Sequence, residues 1–553
     1  MKLLHNHLGF EAAGPKVALL QADAPIEPRL FALVPSAGGA PVFEGRLAPL
    51  APVPGWQGRH YAAADFSALQ AVGDYGLQLG EGASLVAAPL TIRAEVFDES
   101  LQSDLVHYFK SQRCSGIFDA ADRSCPVFGS EQRVDVHGGW YDASGDASKY
   151  LSHLSYANFM NPQQTPQVVW NLIAGLQQGG AVAPWLAERT VDEALHGADF
   201  LCRMQHDDSW FYMTVFDRWT KDVTQRRLCS YTTQQGHLFA SYQAGFRQGG
   251  GCAIAALARA STLPRDGEFP RSHCLAAAQR GFAHLQQHNA AYLDDGRENI
   301  LDDYCALLAA CELWSATCDE RYHRAATDRA HRLIARQHAD GWFWADDDRT
   351  RSYFHAVDAG LPLVALLRYL DLAPDDVAVR DGVRRALRHE LRITNDGAGN
   401  PFGYPRQWVQ APGEPGRAQF FIPHHNDSGY WWQGENARLG SLAAAALAAE
   451  RRFGEDASLR SYARSALDWI FGRNPFDTCM MQGRGRGHPH YEPGYWNAPG
   501  GVCNGITAGL DDEADIDFRA PHETTPMHSW RWREQWLPHG AWLFLALAWW
   551  RAR

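Results

Sequence analysis

From about residue 100 onward the chain is a succession of segments whose apolar residues recur at three- and four-residue steps, separated by polar loops without strand-like runs. Eleven such segments stand out: 166–177, 191–205, 250–260, 274–288, 300–317, 320–337, 361–372, 377–392, 435–452, 458–471 and 532–550. A twelfth fits near 103–111. Twelve helices over roughly 450 residues, with no strands between them, leave few architectures open. The pattern predicts an α/α toroid of six hairpins. In such a ring the loops at one end form a cup, and function is expected on those loops.

Residues 1–95 read differently. Short runs with strand character at 16–20, 29–34, 41–47, 75–79 and 84–96 are bounded by Gly, Pro or Asp, without helical periodicity. They predict a small β-sandwich and carry no catalytic constellation. Tryptophan marks the same division, because only Trp56 of the 20 precedes Trp140. The chain is therefore expected to be mainly α, with domains at 1–95 and 96–553.

Composition narrows the functional classes. Lys and Arg number 51 against 63 Asp and Glu, a net charge of −12. A pI near 6.0 argues against a nucleic-acid partner, which needs a basic face. No run approaches the 18 apolar residues of a membrane span; the nearest, 541–550, is ten long. Eleven Cys, an odd number without CxxC pairs, read as buried reduced thiols. Residues Met1-Lys2-Leu3-Leu4-His5 lack the apolar stretch of a secretory signal, so a cytoplasmic location is expected.

The densest chemical candidate is Gly138-Gly139-Trp140-Tyr141-Asp142-Ala143-Ser144-Gly145-Asp146, two carboxylates on a Gly-rich turn between aromatics. Close carboxylates repel when both are ionised, so one can be tuned as a base while the other orients water or substrate. The alternative is an Asx-rich turn whose Asp side chains cap backbone amides. Towards the C-terminus, Gly472-Arg473-Asn474-Pro475 precedes a Gly-, Arg- and His-rich stretch, 483–490, and Gly500-Gly501-Val502-Cys503-Asn504 follows. Glu534 then lies between Trp532 and Trp536 at the predicted start of the last helix. Desolvation there would raise its pKa, as a general acid requires, while the positive helix end would oppose the shift.

These motifs resemble glycoside hydrolase family 9, in the subgroup with an immunoglobulin-like domain before an (α/α)6 barrel. The resemblance rests on His7-Leu8-Gly9-Phe10, the segment at 138–143, Gly197-Ala198-Asp199-Phe200-Leu201 and 472–475 in that order. It implies an inverting β-glycosidase with Asp146 as general base, Asp142 as its helper and Glu534 as general acid. It also implies an oligosaccharide partner, contacted by Trp140, Tyr141, Arg486, His488, His490 and His539. Three departures accompany the resemblance. One residue is inserted in Asp-Ala-Ser-Gly-Asp-Ala, His539 stands where a Tyr is usual, and a His-His-Arg motif is reduced to His488-Pro489-His490, leaving Arg484 or Arg486 to supply a guanidinium. They point away from typical endo-cellulase specificity.

The stretch 149–165 is longer than the family spacing. It is either a wall that closes one end of the cleft and imposes exo action, or a packing insertion. Trp431, Trp432 and Glu435 follow His424-His425-Asn426-Asp427 and suggest a sugar-binding loop; Trp342, Trp344 and Trp496 also occupy loops or helix starts. The acidic run 511–517 is a solvated loop, a calcium site or a recognition element for a sugar amine. No metal ligand set is assigned and no cofactor is required, structural calcium being the one candidate. The leading expectation is exo action on β-1,4-linked gluco- or glucosamine oligosaccharides. An endo-β-1,4-glucanase, a sugar epimerase and a non-catalytic sugar-binding module are the alternatives; the oligomeric state is open.

Overall fold

The computed structural model describes residues 1–56, 58–79, 90–153, 160–231, 235–395, 399–411, 413–426, 430–454, 456–509, 516–517 and 531–552. The N-terminal part is a sandwich of two sheets. Lys2–Leu4, Val17–Ala22, His60–Asp65 and Ala48–Pro49 form one, in that spatial order. Phe10–Glu11, Leu90–Arg93, Gly73–Leu79, Leu30–Pro35 and Phe43–Arg46 form the other. Register follows the period-2 pattern: Leu33 lies opposite Leu77, and both turn inward with Leu20, Phe66 and Ile92. The strands around 2–4, 10–11 and 60–65 were not expected. Their apolar runs are short, and pairing across the sheet rather than local pattern holds them.

Besides a short helix at Gly116–Asp122, twelve longer helices follow among the described residues: α1 (Glu99–Ser111), α2 (Thr165–Gln178), α3 (Pro184–Arg203), α4 (Gly251–Ala260), α5 (Arg271–Tyr292) and α6 (Ile300–Thr317). The series continues with α7 (Glu320–Ala335), α8 (Leu361–Leu372), α9 (Val377–Asn395), α10 (Glu435–Phe453), α11 (Ala457–Ile470) and α12 (Leu537–Arg551). The even-numbered helices pack as a closed inner ring, α2-α4-α6-α8-α10-α12 and back to α2, with the odd-numbered ones outside. This is the (α/α)6 barrel.

Sequence decides which helix goes where. Every residue from Leu537 to Trp550 of α12 is buried, as expected of a helix apolar on all sides. Outer helix α7 instead buries Tyr322, Ala326, Arg329, Ala330 and Leu333, a stripe at helical spacing. The ring closes tightly where α10 carries Gly440: a Cβ there would lie 3.0 Å from backbone and side-chain carbons of Trp542. Because inner helices run parallel, their N-termini share one end of the barrel and their preceding loops build the cup.

The sandwich is fastened to the barrel. Trp56, the isolated early tryptophan, is buried against Phe420 (5.1 Å between ring centroids) and Phe402 (6.1 Å). Asn6 Nδ2 donates to Asp468 at 2.7 Å, and His7 Nε2 meets Asp477 at 2.8 Å. Among the described residues all cysteines are free thiols; all are buried except Cys318.

Candidate active site

The turn 138–148 reaches the cup through backbone geometry that its glycines permit. Gly139 and Gly145 adopt φ of 71° and 85°, and at Gly139 a Cβ would lie 2.7 Å from the Phe200 ring. The turn then pairs with the chain far ahead of it. Ala143 bridges Trp536, Ser144 N donates to the Gln535 carbonyl at 2.8 Å, and Gln535 N donates to Ser144 Oγ at 2.7 Å. Three backbone segments that are distant in sequence thereby meet, since Cys503 also bridges Gln535. Glu534 is set beside the Asp142–Asp146 loop by these pairings.

Glu534 does not begin a helix. The last helix starts at Leu537, because Gln535 and Trp536 are committed to extended pairing and Trp536 holds φ −98°, ψ 138°. The expected helix-end field on Glu534 is replaced by burial and by the charge of Asp146.

Each carboxyl has its own donors. Both oxygens of Asp142 accept from Trp536 Nε1, at 3.0 and 3.1 Å. Asp146 accepts from Ser148 N at 2.8 Å and from the Tyr150 hydroxyl at 3.2 Å. Glu534 accepts from Asn504 Nδ2 at 3.1 Å. Burial, reinforced by the charge of Asp146, holds Asp142 well above the usual carboxylate range. Burial likewise lifts Asp146 to about 6, with the Ser148 amide opposing and Asp217 adding. Burial and the Asp146 charge push Glu534 to about 8, against the Asn504 bond. Near neutral pH this places a proton on Glu534 and removes one from Asp146. Two carboxyls tuned apart in this way are chemically suited to proton transfer.

Other residues fall in different places. His153 stands 4.0 Å from Asp142, held against Tyr231 (3.3 Å) and edge-on to Trp536. The chain of the long stretch 149–165 closes at its base where Ser152 bridges Gln163; residues 154–159 lie outside the described residues. Trp431 and Trp432 are partly exposed, Trp432 stacking on His424 at 3.6 Å. His488 and His490 sit 5.1 Å apart, and the His490 carbonyl accepts from Asn497, whose amide also reaches the Arg533 carbonyl.

Five expectations are corrected. Trp140 is fully buried, its indole Nε1 bonded to Glu193 at 2.6 Å, so it is core rather than a sugar platform. Tyr141 is buried beneath Trp496 and Phe118. Glu435 is enclosed with Arg438, Gln407 and Tyr404, an internal ion pair that fastens α10. Arg486 pairs with Asp477 at 2.8 Å and its amide donates to His7, while Arg484 binds Asp104 at 2.6 Å; both guanidinium groups serve packing. His539 is fully buried with its ring edge-on to Trp536, and burial lowers its pKa to about 3, so it backs the floor instead of facing substrate. Trp342 and Trp344 pack T-shaped on each other at 4.4 Å.

Sequence reasoning had assigned no role to Trp536 as donor to Asp142, to Tyr150 or to Asn504. Only the last two carry a local signal, a hydroxyl and an amide next to motif positions. The acidic residues 511–515 lie outside the described residues, whereas Ile516–Asp517 pairs with Thr507–Ala508. Among the described residues no cluster of three or more His, Cys, Asp or Glu has a metal-binding arrangement.

A toroid of six hairpins with neighbouring carboxyls at one end fits a sugar hydrolase scaffold. The sequence profile of glycosyl hydrolase family 9 matches residues 99–492, and that of the cellulase N-terminal Ig-like domain matches residues 2–84. The chain belongs to glycosyl hydrolase family 9 and is a glycoside hydrolase. Among its relatives, Endoglucanase 22 of Oryza sativa subsp. japonica is 28% identical over 425 residues, 71% of this chain and 70% of that protein. Endoglucanase C of Cellulomonas fimi is 24% identical, and the alignment takes in 89% of this chain but only 45% of that longer protein. In fold, the chain is similar to a thermostable endoglucanase of Alicyclobacillus acidocaldarius, with TM-score 0.68, 22% identity and 99% of each chain covered. A family 9 protein of Bacteroides ovatus gives TM-score 0.69 at 18% identity, over 100% of this chain and 98% of that one.

Proposed function

We propose that this hydrolase cleaves β-1,4-linked glucans with inversion, Asp146 drawing the proton from water, Asp142 helping to hold that water and Glu534 protonating the leaving oxygen. One observation supports the reading: the pairing of 143–144 with 535–536 brings Glu534 beside the Asp142–Asp146 turn, where burial raises Glu534 to about 8 and Asp146 to about 6. Inversion requires room for one water between base and acid, a separation of roughly 6.5–9.5 Å. The endoglucanase names of both relatives support internal cleavage of a cellulosic chain.

A second reading is exo action on gluco- or glucosamine oligosaccharides. It is favoured by His153, which lies against Asp142 at the root of the long 149–165 stretch and is backed by Tyr231. A parallel screen on carboxymethyl cellulose, cello-oligosaccharides and chitosan oligomers separates the two. Endo action lowers viscosity faster than it releases reducing ends, and exo action does the reverse. Proton NMR of the first product should show the α-anomer; an initial β-anomer rules out inversion. Asp146→Asn and Glu534→Gln should each lower kcat by about 10²–10⁴-fold with binding retained. Normal turnover by either variant removes the assignment.

A further inference from the structure

Asp217 lies outside the carboxyl set described above, yet it is wholly buried and its side chain ties two regions together. Its Oδ1 accepts from Ser148 Oγ at 2.9 Å, and Ser148 N is the amide that donates to Asp146. The same carboxylate accepts from Trp219 N at 3.0 Å and Lys221 N at 2.9 Å. In doing so it holds a turn in which Arg218, Trp219 and Lys221 have φ of 61°, 57° and 56°. Three non-glycine residues in the left-handed region within four positions is rare, and such strain persists only where surrounding contacts impose it.

The turn aims Lys221 across the cup. Its Nζ donates to the Gly494 carbonyl at 2.9 Å and lies 4.5 Å above the Trp496 ring. The segment it grips touches both catalytic sides. A Cβ on Gly145, beside Asp146, would lie 3.1 Å from the Gly494 oxygen and 3.0 Å from Tyr495 Cα. Glu492, two residues before Gly494, pairs with Arg533 at 2.9 Å, next to Glu534. A path therefore runs from Asp146 through Ser148, Asp217 and Lys221 to Gly494, and along the chain from Gly494 to Glu492 and its ion pair with Arg533.

We propose that Asp217 is a positioning residue: with the strained 217–221 turn and Lys221 it forms a strap that sets the spacing between Asp146 and Glu534. The proposal rests on the reading of that pair as base and acid. In inversion the spacing must admit one water in line, and a misplacement of about 1 Å costs up to about 10²-fold in rate. Asp217 has a second effect on the same group. Asp146 owes its raised pKa first to burial; the carboxyls of Asp217, Asp142 and Glu534 all face it, while Arg226, just before the strand Arg227–Tyr231, faces Asp217.

The test compares Asp217→Asn, Lys221→Met and the double variant in the full chain, on the substrate that the unmodified enzyme turns over in the screen above. Each single variant should lower kcat at least about tenfold while KM moves less than about threefold. The double should be no slower than the worse single, because both cut one strap. Asp217→Asn should also move the acidic limb of the kcat/KM profile to lower pH, and Lys221→Met should leave it in place. Should Asp217→Asn melt far below the parent, the half-buried Lys221 carries the test alone. The strap is overturned if both singles keep kcat within about twofold, or if their losses multiply in the double. Failure of the base reading is distinct, since it would appear as normal turnover by Asp146→Asn.

Discussion

Three carboxyl groups meet at one cup, Asp142 buried and Asp146 and Glu534 half-buried, and what distinguishes them is the neighbour each one meets. Asp142 faces an indole N–H, Asp146 an amide and a phenol, Glu534 a side-chain amide. The raised values of about 6 for Asp146 and about 8 for Glu534 give a sign to the pH dependence. The base works only when deprotonated, so activity falls as pH drops through about 6; the acid works only when protonated, so it falls again as pH rises through about 8. The expected kcat/KM profile is a bell centred near neutrality, and a plateau extending past pH 9 would remove Glu534 as the acid. These limits belong to the coupled set of carboxyls rather than to isolated residues. The identities of Asp142, Asp146 and Glu534 as candidates were legible in the sequence through spacing and motif order. Their protonation states were not, because burial and the facing charges come from residues 388 positions away, as Asp146 and Glu534 show.

At the scale of elements, the turn 138–148 works because glycines allow it to approach two other segments. Gly145→Ala tests this. The substitution meets a φ of 85° and a Cβ position 3.0 Å from Tyr495 Cα, so it should lower kcat by tenfold or more. The fold should remain, with a loss of about 1–2 kcal/mol in unfolding free energy. Unchanged kinetics would show that the 494–495 contact does not shape the site. Helices were the most legible elements. The bounds of α6 and α8 match the periodic segments 300–317 and 361–372, because local signals mark them, the Asn299 cap at the start of α6 and Pro362 in the first turn of α8. The last helix starts five residues later than the periodicity places it, since apolar Trp532 and Trp536 fit helical spacing while the pairing of Trp536 with Ala143 and of Gln535 with Cys503 is invisible to local periodicity.

At the scale of the whole molecule, sandwich and barrel are joined by buried polar contacts as well as by Trp56. Burial, with Arg486 adding, lowers His5 to about 4, and burial also lowers His7. Both therefore fold as neutral rings. In the unfolded chain a histidine takes up its proton near pH 6.5, so stability from His5 is complete above that pH and is lost as pH falls from about 6.5 to about 4. Thermal melting followed across this window should show a shallower acid loss for His5→Gln than for the parent. An identical slope would show that the junction does not contribute to acid sensitivity. The sequence by itself determined the two-part layout, the toroid of hairpins and the carboxyl candidates, because periodicity, turn residues and motif order are local properties. Only the tertiary structure decided that Trp140, Glu435 and Arg486 serve packing, that Trp536 and Tyr150 bond the carboxyls, and that Asp217 ties Ser148 to the 217–221 turn. Those roles depend on which side chains are brought within hydrogen-bonding distance across the ring, and no local pattern encodes a distance between segments hundreds of residues apart.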